Sequence, residues 1–150
     1  MDSVIITPNA FDPLDTAAIF QKSALGAGAI ASVTGFVRDE GGTVKRLRLT
    51  HYPGMTEAEI EGLVKRAFAR WNLLACHVTH RVGEIAPDEA IVFVTAASAH
   101  RRAAFEAVDF LMDYLKSEAP LWKQEIDSIG EAKWIEPKYN DRRDLERWRQ

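Results

Sequence analysis

Between Pro87-Asp88 and Ser98 the chain runs Ala90-Ile91-Val92-Phe93-Val94-Thr95-Ala96-Ala97, almost without a polar residue. Successive side chains of a strand point to opposite faces, so a strand with one wet face alternates polar and apolar residues. This run does not alternate. It predicts a strand over Ala90–Ala97 that is covered on both faces and lies in the middle of a sheet. The segment that follows is amphipathic: Ser98 is the expected cap of a helix from Ala99 to Ser117, buried through Ala104, Phe105, Val108, Leu111, Met112 and Leu115, with Pro120 as its stop.

The other elements follow from the same periodicities. Val4–Ile6 is a short strand closed by Pro8 and Pro13, and Asp15 is placed to cap a helix to about Leu25, ended by Gly26 and Gly28. Ala29–Arg38 reads as a strand with Ile30, Ser32, Thr34, Phe36 and Arg38 on one face. The turn Asp39-Glu40-Gly41-Gly42 joins it to a second alternating strand, Val44–Tyr52, and the two together read as an antiparallel hairpin. After Pro53-Gly54, Thr56 and Glu59 form a capping box for a helix through Ile60, Leu63, Val64, Ala67, Phe68 and Trp71, with Asn72 as its C-cap. His77–Val82 is another strand, and Trp122–Ile126 with Lys133–Ile135 make a final hairpin. Hairpins interrupted by two long helices, without repeats or low-complexity linkers, indicate an α+β fold with a mixed, mostly antiparallel sheet. Residues 1–150 read as one domain, with a charged tail over 137–150 whose role the pattern leaves open.

A formal charge of −3 argues against a global field for nucleic acid, and no basic stripe with interleaved aromatics is present. Cys76 is the only cysteine, which excludes an internal disulfide and multi-cysteine metal sites. Its neighbours Leu73, Leu74 and Ala75 predict a buried, inert thiol. No metal site is expected, since no carboxylate–histidine pair has helical spacing. No P-loop, dinucleotide-binding glycine motif or nucleophile elbow occurs either. The start MDSVIITPNAFDP lacks a basic segment leading into an apolar one, and no apolar run approaches membrane-spanning length; the expected place is the cytoplasm, without a membrane.

Charge concentrates at three places. Lys116 and Lys123 flank Ala119-Pro120-Leu121-Trp122. By itself Lys116 reads as a lysine favoured by a helix C-terminus, and Lys123 as a solvent-facing residue if Trp122 packs inward. A proline corner between them can nevertheless bring both ammonium groups into one cleft, where lysines act as bases, nucleophiles or charge stabilisers. His100-Arg101-Arg102 crowds the first turn of a helix, where basic groups oppose the dipole and exposed amides favour an anion. His100 and Arg101 are the anion-binding candidates, and Arg102 is read as solvated. Arg38 closes a strand before a glycine turn, with a planar fork suited to phosphate or carboxylate. His51, His77 and His80 read as structural histidines.

These segments share their order with one family. Gly35-Phe36-Val37-Arg38, His51-Tyr52-Pro53-Gly54-Met55-Thr56-Glu57, His80-Arg81-Val82-Gly83, Ser98-Ala99-His100-Arg101, and Asp113-Tyr114-Leu115-Lys116 through Ala119-Pro120-Leu121-Trp122-Lys123-Gln124-Glu125 resemble the molybdopterin synthase large subunit. The resemblance runs from about residue 29 to 134. It implies an α/β-hammerhead-like fold with a small extra sheet, and sulfur transfer from the C-terminal thiocarboxylate of a small ubiquitin-like subunit ending in Gly-Gly. The acceptor it implies is cyclic pyranopterin monophosphate, which two deliveries convert to the dithiolene of molybdopterin for molybdenum cofactor biosynthesis. It further implies catalytic roles for Lys116 and Lys123, substrate-anion positions at Arg38, His100 and Arg101, and Phe36, Val37, Gln124 and Glu125 as pocket neighbours. The assembly implied is a homodimer within a heterotetramer, and no cofactor is implied. Leu121 stands where an aromatic residue is common, and Phe36 where a basic one occurs. An adaptor that only binds a ubiquitin-like tail, and a regulatory domain binding nucleotides at His100-Arg101, are the competing readings; neither explains the Lys116–Lys123 pair.

Overall fold

The computed structural model describes residues 2–136 and 139–149. The order of elements is β1 (Asp2–Thr7), α1 (Pro13–Ser23), β2 (Ala29–Phe36), β3 (Arg46–His51), α2 (Met55–Trp71), β4 (Ala75–Arg81), β5 (Gly83–Ile85), β6 (Ala90–Ser98), α3 (Arg101–Ser117), β7 (Leu121–Ile126), β8 (Ala132–Ile135) and α4 (Tyr139–Glu146). The strands form two four-stranded sheets, ordered β1-β4-β6-β2 and β5-β3-β7-β8. Among the described residues only β1 and β4 pair in parallel. The fold is therefore α+β with mostly antiparallel pairing, as the element pattern predicts.

The apolar run lies where its composition requires. β6 is an interior strand of the first sheet, and all its residues are buried except the partly exposed Ile91. One face of this sheet receives α2 and α3: Ile60, Val64 and Ala67 meet Val78, Val94 and Ala96, with Ala107, Phe110 and Leu111 completing the layer. Each large side chain so buried contributes about 1.5–3 kcal/mol. On the opposite face Phe20 of α1 packs with Ala24, Ala75 and Ala97. β4 is buried at every position, Cys76 included.

Several local expectations are corrected. β2 and β3 are not a hairpin: β2 pairs with β6, and β3 pairs with β5 and β7. The glycine turn breaks the ladder instead of folding it back, and a register shift at Gly35/Phe36 takes the chain out of the first sheet. Asp12 rather than Asp15 caps α1, accepting from the Leu14 amide at 2.9 Å, with Pro13 opening the helix. The first turn of α2 is closed by the Glu57 carboxylate on the Gly54 amide, and Gly54 holds a φ of 86° that few other residues tolerate. Ser98 bonds the His100 carbonyl, so α3 begins two residues later than expected, with His100 at the cap position. The buried stripe of α3 is correspondingly turned. Phe110 and Tyr114 are buried while Phe105 is 60% exposed.

The tail docks on its own chain. Arg147 pairs with Asp109 and Asp113, each at 2.8 Å, and Trp148 donates to Asp113 at 2.6 Å while packing edge-on against Trp71 and Phe110. Pro137, Lys138 and Gln150 of that tail lie outside the described residues. Among the described residues no helix is long and apolar enough to cross a membrane.

Candidate active site

The bend between the two lysines is built by two distant motifs. The amides of Glu118 and Ala119 both donate to the Tyr114 carbonyl, at 2.8 and 3.0 Å, which ends α3 in a tight turn. The Pro120 carbonyl accepts the Thr56 hydroxyl at 3.0 Å, and the Thr56 oxygen accepts the Tyr52 amide at 2.9 Å. Thr56 is fully buried. The Tyr52–Thr56 turn thus clamps the proline corner, a task quite different from the capping role its sequence predicts. Trp122 turns to the outer face of β7, edge-on to Tyr52, and leaves Lys123 on the inner one.

Lys116, from the last turn of α3, and Lys123, from β7, line one cavity of about 300 Å³ between the sheets. Phe36, Val37 and Arg38, which follow the register shift out of β2, form another part of its wall, and Glu125 lies on the same face of β7 as Lys123. Six of the nine sequence-derived positions therefore converge. Arg38 is 68% exposed and ion-paired with Glu40 at 2.9 Å. Gln124 does not line the cavity: it sits on the other face of β7, opposite Arg48 and Trp134. His100 and Arg101 are exposed at the opposite end of α3. Fifteen residues at 1.5 Å each put Arg101 about 22 Å from Lys116. Within one chain they do not reach this cavity.

The cavity also has residues that the motifs did not reveal. Glu40, Glu136 and Asp141 line it, so among the described residues three cations face four carboxylates. His80, at the end of β4, is 4% exposed and contributes to the same wall. Its Nδ1–H donates to the Arg81 carbonyl at 2.9 Å. Burial pushes the imidazole down to about 4; the Arg81 bond opposes this, and the charges of Lys123 and Lys116 add to it. Both lysines are thus felt at one buried ring. One signal pointed to His80: its parity on β4 places it with Cys76 and Val78, a titratable ring on an otherwise apolar face. Glu136 and Asp141 left no such signal, because their place depends on how β8 and α4 return toward α3. Among the described residues no group of three or more His, Cys, Asp or Glu side chains is arranged to hold a metal ion.

This arrangement of paired amines, an exposed guanidinium and mixed carboxylates fits an anionic substrate and proton transfer. The chain is 48% identical to the molybdopterin synthase catalytic subunit of Caulobacter vibrioides over 98% of its length and 97% of that protein's. It is 47% identical to the Mesorhizobium japonicum protein of the same name, covering 98% and 93%. The solved molybdopterin biosynthesis MoaE protein of Burkholderia ambifaria superposes with a TM-score of 0.85 at 37% identity, over 100% of this chain and 99% of that one. The family described as MoaE protein matches residues 6–118, a span that holds the Tyr52–Thr56 turn, His80 and Lys116 and ends just before Pro120 and Lys123. On sequence and fold together, the chain belongs to the MoaE family.

Proposed function

We propose that this chain is the large, catalytic subunit of a molybdopterin synthase. It takes sulfur from the C-terminal thiocarboxylate of a small ubiquitin-like subunit and delivers it to cyclic pyranopterin monophosphate, forming the dithiolene of molybdopterin. The observation that carries this reading is that Lys116 and Lys123, from different elements, line one cavity beside Arg38. Donor and acceptor are both anionic, and sulfur attack on the pterin side develops further negative charge. Two ammonium groups facing one cavity, Lys116 exposed and Lys123 partly buried, stabilise that charge and move protons. Arg38, released from Glu40, offers a fork to the phosphate.

One chain's cavity has no excess of positive charge, because three cations face four carboxylates among the described residues. The proposed homodimer supplies the remainder. His100 and Arg101 act on the cavity of the second copy, where the α3 amides and dipole end add to their charge. The substrate-contacting residues of this chain are then Phe36, Val37, Arg38, Lys116, Lys123 and Glu125. The chain works as one domain in the cytoplasm, in a heterotetramer of two large and two small subunits.

The test mixes this protein with thiocarboxylated small subunit and the cyclic pterin, and assays dithiolene formation. Sulfur should leave the small subunit in step with product. Intact thiocarboxylate and unchanged pterin after prolonged incubation of a stable complex would overturn the assignment.

A further inference from the structure

His80 is a buried polar group of this cavity for which the lysine chemistry has no task. His80 shares the inner face of β4 with Cys76 and Val78, which pack into the apolar layer under α2 and α3. At the strand's end that layer gives way to the cavity, and the ring forms part of its wall. Because a carbonyl can only accept, the bond to Arg81 places the proton on Nδ1. Nε2 therefore keeps its lone pair. The charged groups that face this space are Arg38 and Glu40 after β2, Lys116 of α3, Lys123 and Glu125 of β7, and Glu136 and Asp141 after β8. The two ammonium groups are the ones whose charge acts on the ring, Lys123 ahead of Lys116.

A protonated histidine here would add a third cation beside two lysines. A neutral one, with its tautomer fixed, is instead an acceptor for ammonium protons. We propose that His80 is a positioning residue for the sulfur transfer: its Nε2 accepts a hydrogen bond from the Lys123 ammonium once substrate is bound, and aims that ammonium at the reacting centre. This rests on the sulfurtransferase reading above. Burial and the lysines keep the ring uncharged down to about pH 4, so it serves as an acceptor throughout the working range.

Two substitutions separate positioning from packing. His80→Asn retains an amide near Nδ1 to donate to the Arg81 carbonyl but has nothing at the Nε2 position. His80→Gln places an amide group near Nε2 and gives up the Arg81 bond. With the intact two-subunit enzyme, H80N should lower kcat roughly 10- to 100-fold with KM nearly unchanged, while H80Q stays within a few-fold of the parent. The alkaline limb of the H80N profile should move to lower pH, since a lost acceptor disfavours the ammonium form. Titration of the labelled Lys123 side chain should move in the same direction, a readout that does not depend on turnover. The opposite order of the two variants would overturn the proposal, because it would mean that the Arg81 bond is what matters. So would an H80N enzyme with parental kcat, or equal losses in both variants with an unmoved limb. If the parent protein itself forms no dithiolene, the function fails rather than this residue's role.

Discussion

β4 carries two buried histidines on opposite faces, and each borders a hollow. His77 lies against a cavity of about 410 Å³ under α1, walled by Ile5, Phe11, Ile19 and Phe20. Its two ring nitrogens meet the Ser3 hydroxyl at 2.5 Å and the Thr79 hydroxyl at 2.6 Å, so the ring ties β1 to β4. His80, three residues on, borders the charged cavity between the sheets and has only Nδ1 engaged with the backbone. Burial lowers the pKa of both rings, and only for His80 do lysine charges add to the effect. Depth of burial alone does not separate a structural ring from a site ring. The partner of the second nitrogen does.

The largest effect that would sharpen this contrast is on the lysine side. Lys116→Ala should lower turnover by two or more orders of magnitude, about 3 kcal/mol or more of transition-state stabilisation, while fold and small-subunit binding survive. Steady-state kinetics with a thermal melt and a co-elution assay checks it; ordinary turnover would remove Lys116 from the mechanism.

Next comes acid stability. His80 is neutral in the fold and has a depressed pKa, so the unfolded chain binds its proton first. Stability should be complete above about pH 6.5 and fall as the pH drops toward 4, by on the order of 2 kcal/mol at pH 5 from His80, with His77 acting in the same direction. Urea midpoints at pH 7 and 5 measure the slope, and His80→Gln should flatten it. An unchanged slope in that variant would place the acid sensitivity elsewhere.

His77→Ala should cost about 1–3 kcal/mol by leaving the Ser3 and Thr79 hydroxyls unpartnered, yet leave kcat at the parental value. A fall in kcat at equal stability would break the contrast, since the α1 hollow would then bear on catalysis. Arg38→Ala should raise KM roughly tenfold, about 1.4 kcal/mol, with little change in kcat. Unchanged apparent affinity would remove Arg38 from substrate binding. Smallest of all, Ile19→Ala, at a side chain 68% exposed on α1, should shift stability by less than about 0.5 kcal/mol and activity not at all.

Much of the architecture was legible because burial writes a period into the chain. The non-alternating stretch before Ser98 became an interior strand, the α2 stripe of Ile60, Leu63, Val64 and Ala67 became its cover, and Asn72 ended that helix in the left-handed region with a φ of 51°. The pairing of β2 with β6, across more than fifty residues of chain, has no local signature, and the short glycine turn suggested the nearer partner instead. The same limit applies to the site. Residue types at Lys116, Lys123 and Arg38 announced an anion chemistry, since charges beside a proline corner and a glycine turn are visible one segment at a time.

Convergence was decided only in three dimensions. The clamp from Tyr52 through Thr56 to Pro120 turns Lys116 and Lys123 onto one hollow, β8 and α4 bring Glu136 and Asp141 to its wall, and His80 joins the same wall near the end of β4. The same tertiary structure keeps His100 and Arg101 about 22 Å away at the far end of a rigid helix. Periodicity records whether a side chain is buried, because that depends on one element and its nearest layer. Which charges share a cavity depends on how several elements cross, and no single stretch of chain encodes that.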